Sequence, residues 1–251
     1  MLEPGCPRER EPWTPRVYRR FMDRAGILLK NPIFGDLTRE DVEELVPHLR
    51  QVTFARGEAI WNEGAPATDL YVMAEGLVKS YRISRDGVEL ILEIASACDC
   101  LGEVGLFHPG GVRLVSATAM ERTVCFMIAR EPLVAFMARH PPAMLRVLET
   151  IAETAGRAAG SLTDVAFEGI RGRVARVLLA LAEEHGEAAG AGRRIRLKLS
   201  QTTLGSMVAA SRENVNRALA FFISSGAVSQ REGFFFVHDR QVLESAAEGS
   251  G

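Results

Sequence analysis

Four side chains in the C-terminal third have the types that read base edges: Arg212, Glu213, Asn216 and Arg217. Arginine is the commonest bidentate partner of guanine O6 and N7, and a carboxylate can accept a hydrogen bond from cytosine N4 in the major groove. A glutamate with one arginine just before it and another four residues on can read G·C pairs, because the arginines offset its repulsion from phosphate. The competing reading is an ordinary solvated helix face. A Glu213–Arg217 pair on such a face would contribute only roughly 0.2–0.5 kcal/mol.

Base reading needs a helix that stands clear of its support, and the flanking pattern supplies one. Ser200 can cap a helix containing Leu204, Met207 and Val208, and Gly205 on that helix leaves room for a close neighbour. Ala209-Ala210 then makes a tight turn. Ser211 caps a second helix that runs to Phe222 and buries Val215, Leu219 and Phe222. Two short helices across a tight turn form a helix-turn-helix, whose second helix normally enters the major groove. Ser225 to Val228 and Phe234 to Val237 read as the two strands of a wing, with Arg231-Glu232-Gly233 at the turn. Between Ile195 and Arg240 the cations Arg196, Lys198, Arg212, Arg217, Arg231 and Arg240 outnumber Glu213, Glu232 and Asp239. That surplus is modest, and the whole chain's net charge of −2 gives no indication of nucleic acid.

Upstream, a helix is expected from about Pro142 to Val165. Leu148, Ile151, Ala155, Ala158, Leu162 and Val165 recur at alternating three- and four-residue spacing, the seam of a helix that pairs with a copy of itself. The alternative is a helix packed on its own neighbouring domain. Ala155, Gly156, Ala158, Ala159 and Gly160 make the middle small enough for close backbone approach, although each glycine costs about 1 kcal/mol relative to alanine. Phe167-Glu168-Gly169 interrupts the seam and places a domain boundary near Gly169. An amphipathic helix follows over Ile170 to Glu184 (Val174, Val177, Leu178, Leu181), then a loop over the Gly/Ala run to Gly192.

The first half has a different rhythm. After a helical lead-in over Asn31 to Arg50, with Thr38 as N-cap and Asp41 three residues on, short strand-like runs alternate with turn signals. They are Thr53-Phe54, Ala59 to Trp61, Asp69 to Met73, Leu77 to Ile83, Val88 to Ile94, Ser116 to Ala119 and Thr123 to Ile128. Asp86-Gly87 between two of them is a hairpin signal. Such spacing predicts a small antiparallel barrel or sandwich. The first thirty residues mix four prolines with six arginines. They predict a basic arm, mobile to about Pro15, followed by a short helix anchored by Val17, Tyr18, Phe21 and Ile27.

Composition excludes several classes. At 47% hydrophobic and 25% charged the chain is globular, and no apolar run reaches the roughly 18–20 residues of a membrane span. The charged, proline-broken N-terminus is not a signal peptide. Cys6, Cys98, Cys100 and Cys125 make no disulfide framework, which predicts a reducing cytoplasm. One residue between Cys98 and Cys100 is too few for a zinc knuckle. His48, His108, His140, His185 and His238 lack metal spacing, so no metal site is expected. No Ser/His/Asp motif, Walker loop or HExxH points to an enzyme.

Ser211-Arg212-Glu213-Asn214-Val215-Asn216-Arg217 resembles the recognition helix of the Crp/Fnr transcription regulators. Gly102-Glu103-Val104-Gly105-Leu106-Phe107, with Arg113 six residues later, resembles their phosphate-binding cassette. The resemblance covers residues 34 to 240 in the family's order. After the basic arm at 1–30 read from composition, it implies an α+β protein with a cyclic-nucleotide-binding-like jelly-roll β-barrel at 31–141, a dimerisation helix at 142–168 and a winged helix-turn-helix at 169–245. It further implies a homodimer on an inverted repeat of TGTGA type, read by Arg212, Glu213, Asn216 and Arg217, with Ser200, Gln201, Thr202 and Ser211 on phosphate and RNA polymerase as a partner.

For the ligand, the resemblance carries Gly102, Glu103 and Arg113 onto the cyclic phosphate and ribose. The hydroxyl residue that follows this arginine in nucleotide-binding members is Leu114 here, and the adenine-contacting Thr and Ser of the dimer helix are Ala158 and Ala159. An Arg on that helix is Thr154. These losses argue against cyclic AMP and leave another cyclic nucleotide or cyclic di-GMP open. Two further readings also stay open: an internal Glu103–Arg113 ion pair, and a dimer competent for DNA without ligand. Only Cys6 lies near the N-terminus, so no iron–sulfur cluster is expected, and the scattered histidines argue equally against haem. A purely ligand-binding regulatory subunit would not need the exposed Arg212, Glu213 and Arg217.

Overall fold

The computed structural model describes residues 23–190 and 192–249, and for 161–167 the backbone only. The basic arm up to residue 22, with its expected anchors Val17, Tyr18 and Phe21, lies outside the described residues. Helices α1 (Arg24–Leu29) and α2 (Arg39–Glu43) lead into the first domain. Thr38 caps α2 in a reciprocal capping box with Asp41, as the sequence predicts.

The strands β1 (Arg50–Phe54), β2 (Ala59–Trp61), β3 (Asp69–Glu75), β4 (Val78–Ile83), β5 (Glu89–Ala95) and β6 (Cys100–Leu101) follow. Helix α3 (Glu103–Phe107) then precedes β7 (Ser116–Ala119) and β8 (Thr123–Ala129). The eight strands form two antiparallel sheets in the orders β1-β8-β3-β6 and β2-β7-β4-β5, a jelly-roll arrangement. Tyr71, Met73, Val78, Leu101, Ala117 and Cys125 form one cluster of their core. Phe34, Leu70, Phe126 and Phe136 form a second, beneath α1, α2 and α4 (Arg130–Arg139).

Helix α5 (Pro141–Phe167) has two distinct faces. Ala143 and Val147 are buried in the second cluster, and Ile151 packs against it. Met144, Leu145 and Leu148 face outwards, with Leu148 60% exposed. Ala155 and Ala158 are exposed too, while the side chains of Leu162 and Val165 lie outside the described residues. The seam expected from spacing is therefore divided. Ile151 leans on the barrel domain, and Leu148, Ala155 and Ala158 stand free of it.

Helix α6 (Ile170–Glu184) begins after Gly169. The Gly/Ala segment expected to be a loop instead forms a hairpin, β9 (Gly186–Ala189) with β10 (Gly192–Ile195). Its side chains give no strand signal. β10 pairs with the later wing strand, whose backbone donors and acceptors fix the extended conformation. Then come α7 (Gln201–Met207), α8 (Arg212–Ser224), β11 (Val228–Arg231), β12 (Phe234–Val237) and α9 (Arg240–Ala247). The first wing strand thus starts at Val228, three residues after the expected Ser225, because Ser225 caps the C-terminus of α8 and Gly226 turns the chain at φ +75°. Val174, Leu178, Leu204, Val215, Leu219, Phe222 and Phe235 form this unit's core, and Ile91 and Ile94 of β5 join the same cluster.

Candidate nucleic-acid interface and barrel site

The helix-turn-helix is built by its caps and one glycine. Ser200 Oγ accepts from the Thr203 amide at 3.0 Å, and Ser211 Oγ accepts from the Asn214 amide at 3.3 Å, so each serine satisfies a donor that the first helical turn leaves free. At Gly205 a Cβ would lie 2.7 Å from the Ala210 carbonyl, so only glycine lets the turn fold this tightly over α7. Ala209 turns the chain at φ +50°.

Val215, Leu219 and Phe222 hold α8 from beneath, and all three are buried. Arg212, Glu213 and Arg217 are exposed on its N-terminal turns. No ion pair joins Glu213 to Arg217 among the described residues; Arg217 instead donates to Asn214 Oδ1. Asn216 differs from its neighbours. It is half-buried and its Oδ1 lies inside without a hydrogen-bond partner, so it does not share the open face of the other three. Ser200, Thr202 and Ser211 are exposed and Gln201 half-buried. The Leu199 amide donates to the Gly233 carbonyl, which sets the wing turn beside Ser200. Two cations of the basic surplus counted from the sequence flank that turn: Lys198 over the Phe234 ring at 5.2 Å and Arg231 over the Phe236 ring at 6.0 Å.

The barrel site is the opposite kind of place. Arg113 and Glu103 are buried, at 3% and 6% exposure. Arg113 Nη1 donates to the Gly102 carbonyl at 3.2 Å and Nη2 to the Asp69 carbonyl at 2.7 Å, while its Nε–H has no partner. Gly102 has φ +94°, and a Cβ there would sit 2.1 Å from Arg113 Nη1, so glycine is required for the guanidinium to lie against the main chain. Glu103 opens α3, and its Oε2 is also buried without a partner. The internal Glu103–Arg113 ion pair left open by the sequence does not form: main-chain carbonyls hold the guanidinium. Burial pushes the Glu103 carboxyl up to about 7, with smaller opposing influences from its own amide, Arg157 and Arg113. Burial also lowers the Arg113 guanidinium, against the charges of Tyr71, Asp69 and Glu103. Leu114 is 38% exposed, and Thr154 is half-buried on α5.

Two aromatic rings that spacing gave no reason to single out complete this site. The Arg113 guanidinium lies 4.2 Å from the Trp61 ring centre and 5.8 Å from that of Tyr71. A tryptophan in a three-residue strand reads as core, and only the fold reveals what its face covers. Cys125 is a free thiol buried beside Met73, while Cys98 and Cys100 are part-buried. Among the described residues no group of His, Cys, Asp and Glu could hold a metal ion, and no helix is long and apolar enough to cross a membrane.

Two family models match: a cyclic nucleotide-binding domain over residues 51–140 and a Crp-like helix-turn-helix domain over 172–246. The CRP-like cAMP-activated global transcriptional regulator of Mycobacterium tuberculosis is 33% identical over 221 residues, covering 88% of this chain and 98% of its own. The cyclic AMP receptor protein of Thermus thermophilus is 28% identical over 219 residues, 87% of this chain and 98% of its own. In fold, the chain is similar to FixK2 of Bradyrhizobium japonicum, with a TM-score of 0.71, 21% identity and coverage of 79% of this chain and 96% of that one. The mycobacterial relative is a transcriptional regulator, not an enzyme. A ligand-binding-type domain followed by a Crp-like helix-turn-helix, matched across most of its length, shows that this chain belongs to the Crp/Fnr family of DNA-binding transcription regulators.

Proposed function

We propose that the protein acts as a homodimer on an inverted-repeat site of TGTGA type, with α8 in the major groove. The observation that carries this reading is the open Arg212, Glu213 and Arg217 face, projecting from a helix whose opposite side is fully buried. Arg212 and Arg217 read guanine and Glu213 reads cytosine. Ser200, Thr202 and Ser211 meet backbone phosphates, which set register without carrying sequence information. Asn216 and Gln201, both half-buried, supply secondary contacts. The free face of α5 around Leu148, Ala155 and Ala158 pairs with its copy, continued by Leu162 and Val165. Pairing sets the two recognition helices about 34–36 Å apart, one turn of the duplex. The domain limits at 30, 141 and 168 belong to the same reading, as does contact with RNA polymerase.

A second reading concerns control. The unpartnered Arg113 Nε and Glu103 Oε2 are buried polar atoms of opposite character, one donor and one acceptor. Such atoms are costly without partners, and a cyclic phosphate with a neighbouring ribose hydroxyl matches both. The mycobacterial relative is named for activation by cyclic AMP. Here the positions expected to contact adenine are Ala158 and Ala159, which favours a cyclic nucleotide held chiefly through phosphate and ribose.

One titration tests both readings: anisotropy at fixed salt on a labelled inverted-repeat duplex and on a scrambled one, with and without cyclic AMP or cyclic di-GMP. Tight, sequence-selective binding by the protein alone supports a dimer competent without ligand. Selective binding only with nucleotide makes the barrel the switch. Equal affinity for both duplexes in every arm overturns the assignment of the base-reading residues.

A further inference from the structure

We propose that Trp61 is a positioning residue for an anionic ligand in the barrel, holding Arg113 in place through neutral contacts that leave its positive charge unspent. The inference rests on the reading of the Arg113–Glu103 region as a ligand site.

A buried arginine is ordinarily held by a carboxylate, which fixes its geometry and cancels its charge. Arg113 is held differently. Its neighbours within bonding distance are two main-chain carbonyls, those of Gly102 and Asp69, and its flat face lies over the Trp61 ring at 4.2 Å. Carbonyl dipoles and the ring quadrupole both stabilise a cation, and neither carries a formal charge. An entering anion therefore meets a full positive charge and displaces no carboxylate. The two carbonyls each take one bond from the Nη end of the fork, and the Nε–H, wholly without a partner, is a donor open to a ligand oxygen.

The indole is itself fixed. Its Nε1–H donates to the Val115 carbonyl at 2.9 Å, and its ring centre lies 5.3 Å from that of Tyr71. The donor satisfies the ring's one polar atom, and Val115 is two residues beyond Arg113. Trp61 thereby ties β2 to the segment that carries the arginine, and it sets both the height and the tilt of the guanidinium. Shortening the side chain would leave Arg113 with its carbonyls but without a floor, free to swing its Nε edge.

The test is calorimetric titration of cyclic AMP and cyclic di-GMP into the full-length protein as wild type, Trp61→Leu, Trp61→Phe, Arg113→Ala and the Trp61→Leu/Arg113→Ala double variant. With the ring beneath the guanidinium gone, Trp61→Leu is expected to weaken nucleotide binding by about tenfold or more. Trp61→Phe, which keeps an aromatic face, is expected to restore most of it. With Arg113 removed, the change at Trp61 should have no further effect, a coupling that a purely structural ring would not show. Nucleotide binding by Trp61→Leu equal to that of the folded wild type overturns the inference and leaves the ligand site standing. An additive loss in the double variant also overturns it. Failure of the wild type to bind either nucleotide overturns both the inference and the ligand reading beneath it.

Discussion

The recognition helix and the barrel interior carry the same pair of side-chain types, arginine and glutamate, in opposite settings. On α8, Arg212, Glu213 and Arg217 are in water, and under the proposed reading their energy is realised only when a base edge replaces that water. In the barrel, Arg113 and Glu103 are nearly sealed, and each keeps one polar atom without a partner. A solvated polar face costs the fold almost nothing, and its loss is felt in binding. A buried polar atom without a partner destabilises the fold until a partner arrives. The same chemistry therefore leaves a signature in DNA affinity at one site and in stability and pH dependence at the other.

The largest effect expected is on the open face. Arg212→Ala/Arg217→Ala removes two bidentate contacts of about 1–3 kcal/mol each, so affinity for the inverted repeat should fall about a hundredfold or more and approach that for a scrambled duplex. The thermal midpoint should stay near wild type. A large drop in that midpoint would mean that the two arginines support the fold, and the contrast between the sites would fail.

The barrel should answer to pH. The Glu103 carboxyl lies at about 7 in the fold, above its ordinary 4.5, so its favourable contribution to stability is full below pH 4.5 and is lost as pH rises towards 7. The span is about 3 kcal/mol. In urea titrations Glu103→Gln should match wild type near pH 4.5 and exceed it by up to that amount at pH 8. A difference that does not change with pH would mean that the carboxylate is stabilised in the fold after all.

Gly102→Ala should cost about 1–3 kcal/mol, since the new Cβ meets Arg113 Nη1 on a backbone at φ +94°. Heat denaturation would read this, and nucleotide affinity should fall with it while DNA contacts by the folded protein change little. The smallest effect concerns the cap of α8. Ser211→Ala removes the acceptor for the Asn214 amide and should cost about 1 kcal/mol of stability. Because the role proposed for Ser211 is a phosphate contact, its effect on affinity should be uniform across duplex sequences. A selective loss on the inverted repeat would place Ser211 among the base readers.

Much of the fold is legible in the chain because local rules and global packing agree. Ser200 and Ser211 cap the helices they announce, and Val215, Leu219 and Phe222 recur at the spacing that buries one face. Glycine-punctuated runs such as Asp86-Gly87 become the turns of paired strands, with Ile83 opposite Glu89. The β9–β10 hairpin was not legible, because its alanines and glycines have no alternation; β9 is a strand only through its pairing with β10, which in turn pairs with β12. The half-burial of Asn216 was equally hidden, since helical spacing alone places it within reach of the groove.

By itself the sequence determined the order of the units, the caps, the arginines and glutamate on the open face of α8, and the presence of an arginine and a glutamate at the barrel cassette. All of these follow from residues within a few positions of one another, where the chain's own stereochemistry fixes geometry. Only the tertiary structure decided that Arg113 turns from Glu103 to the carbonyls of Gly102 and Asp69 and lies on Trp61, and that Ile91 and Ile94 join the winged unit's core. Those choices depend on which buried group finds a partner once distant strands are brought together, and no spacing along the chain records that competition.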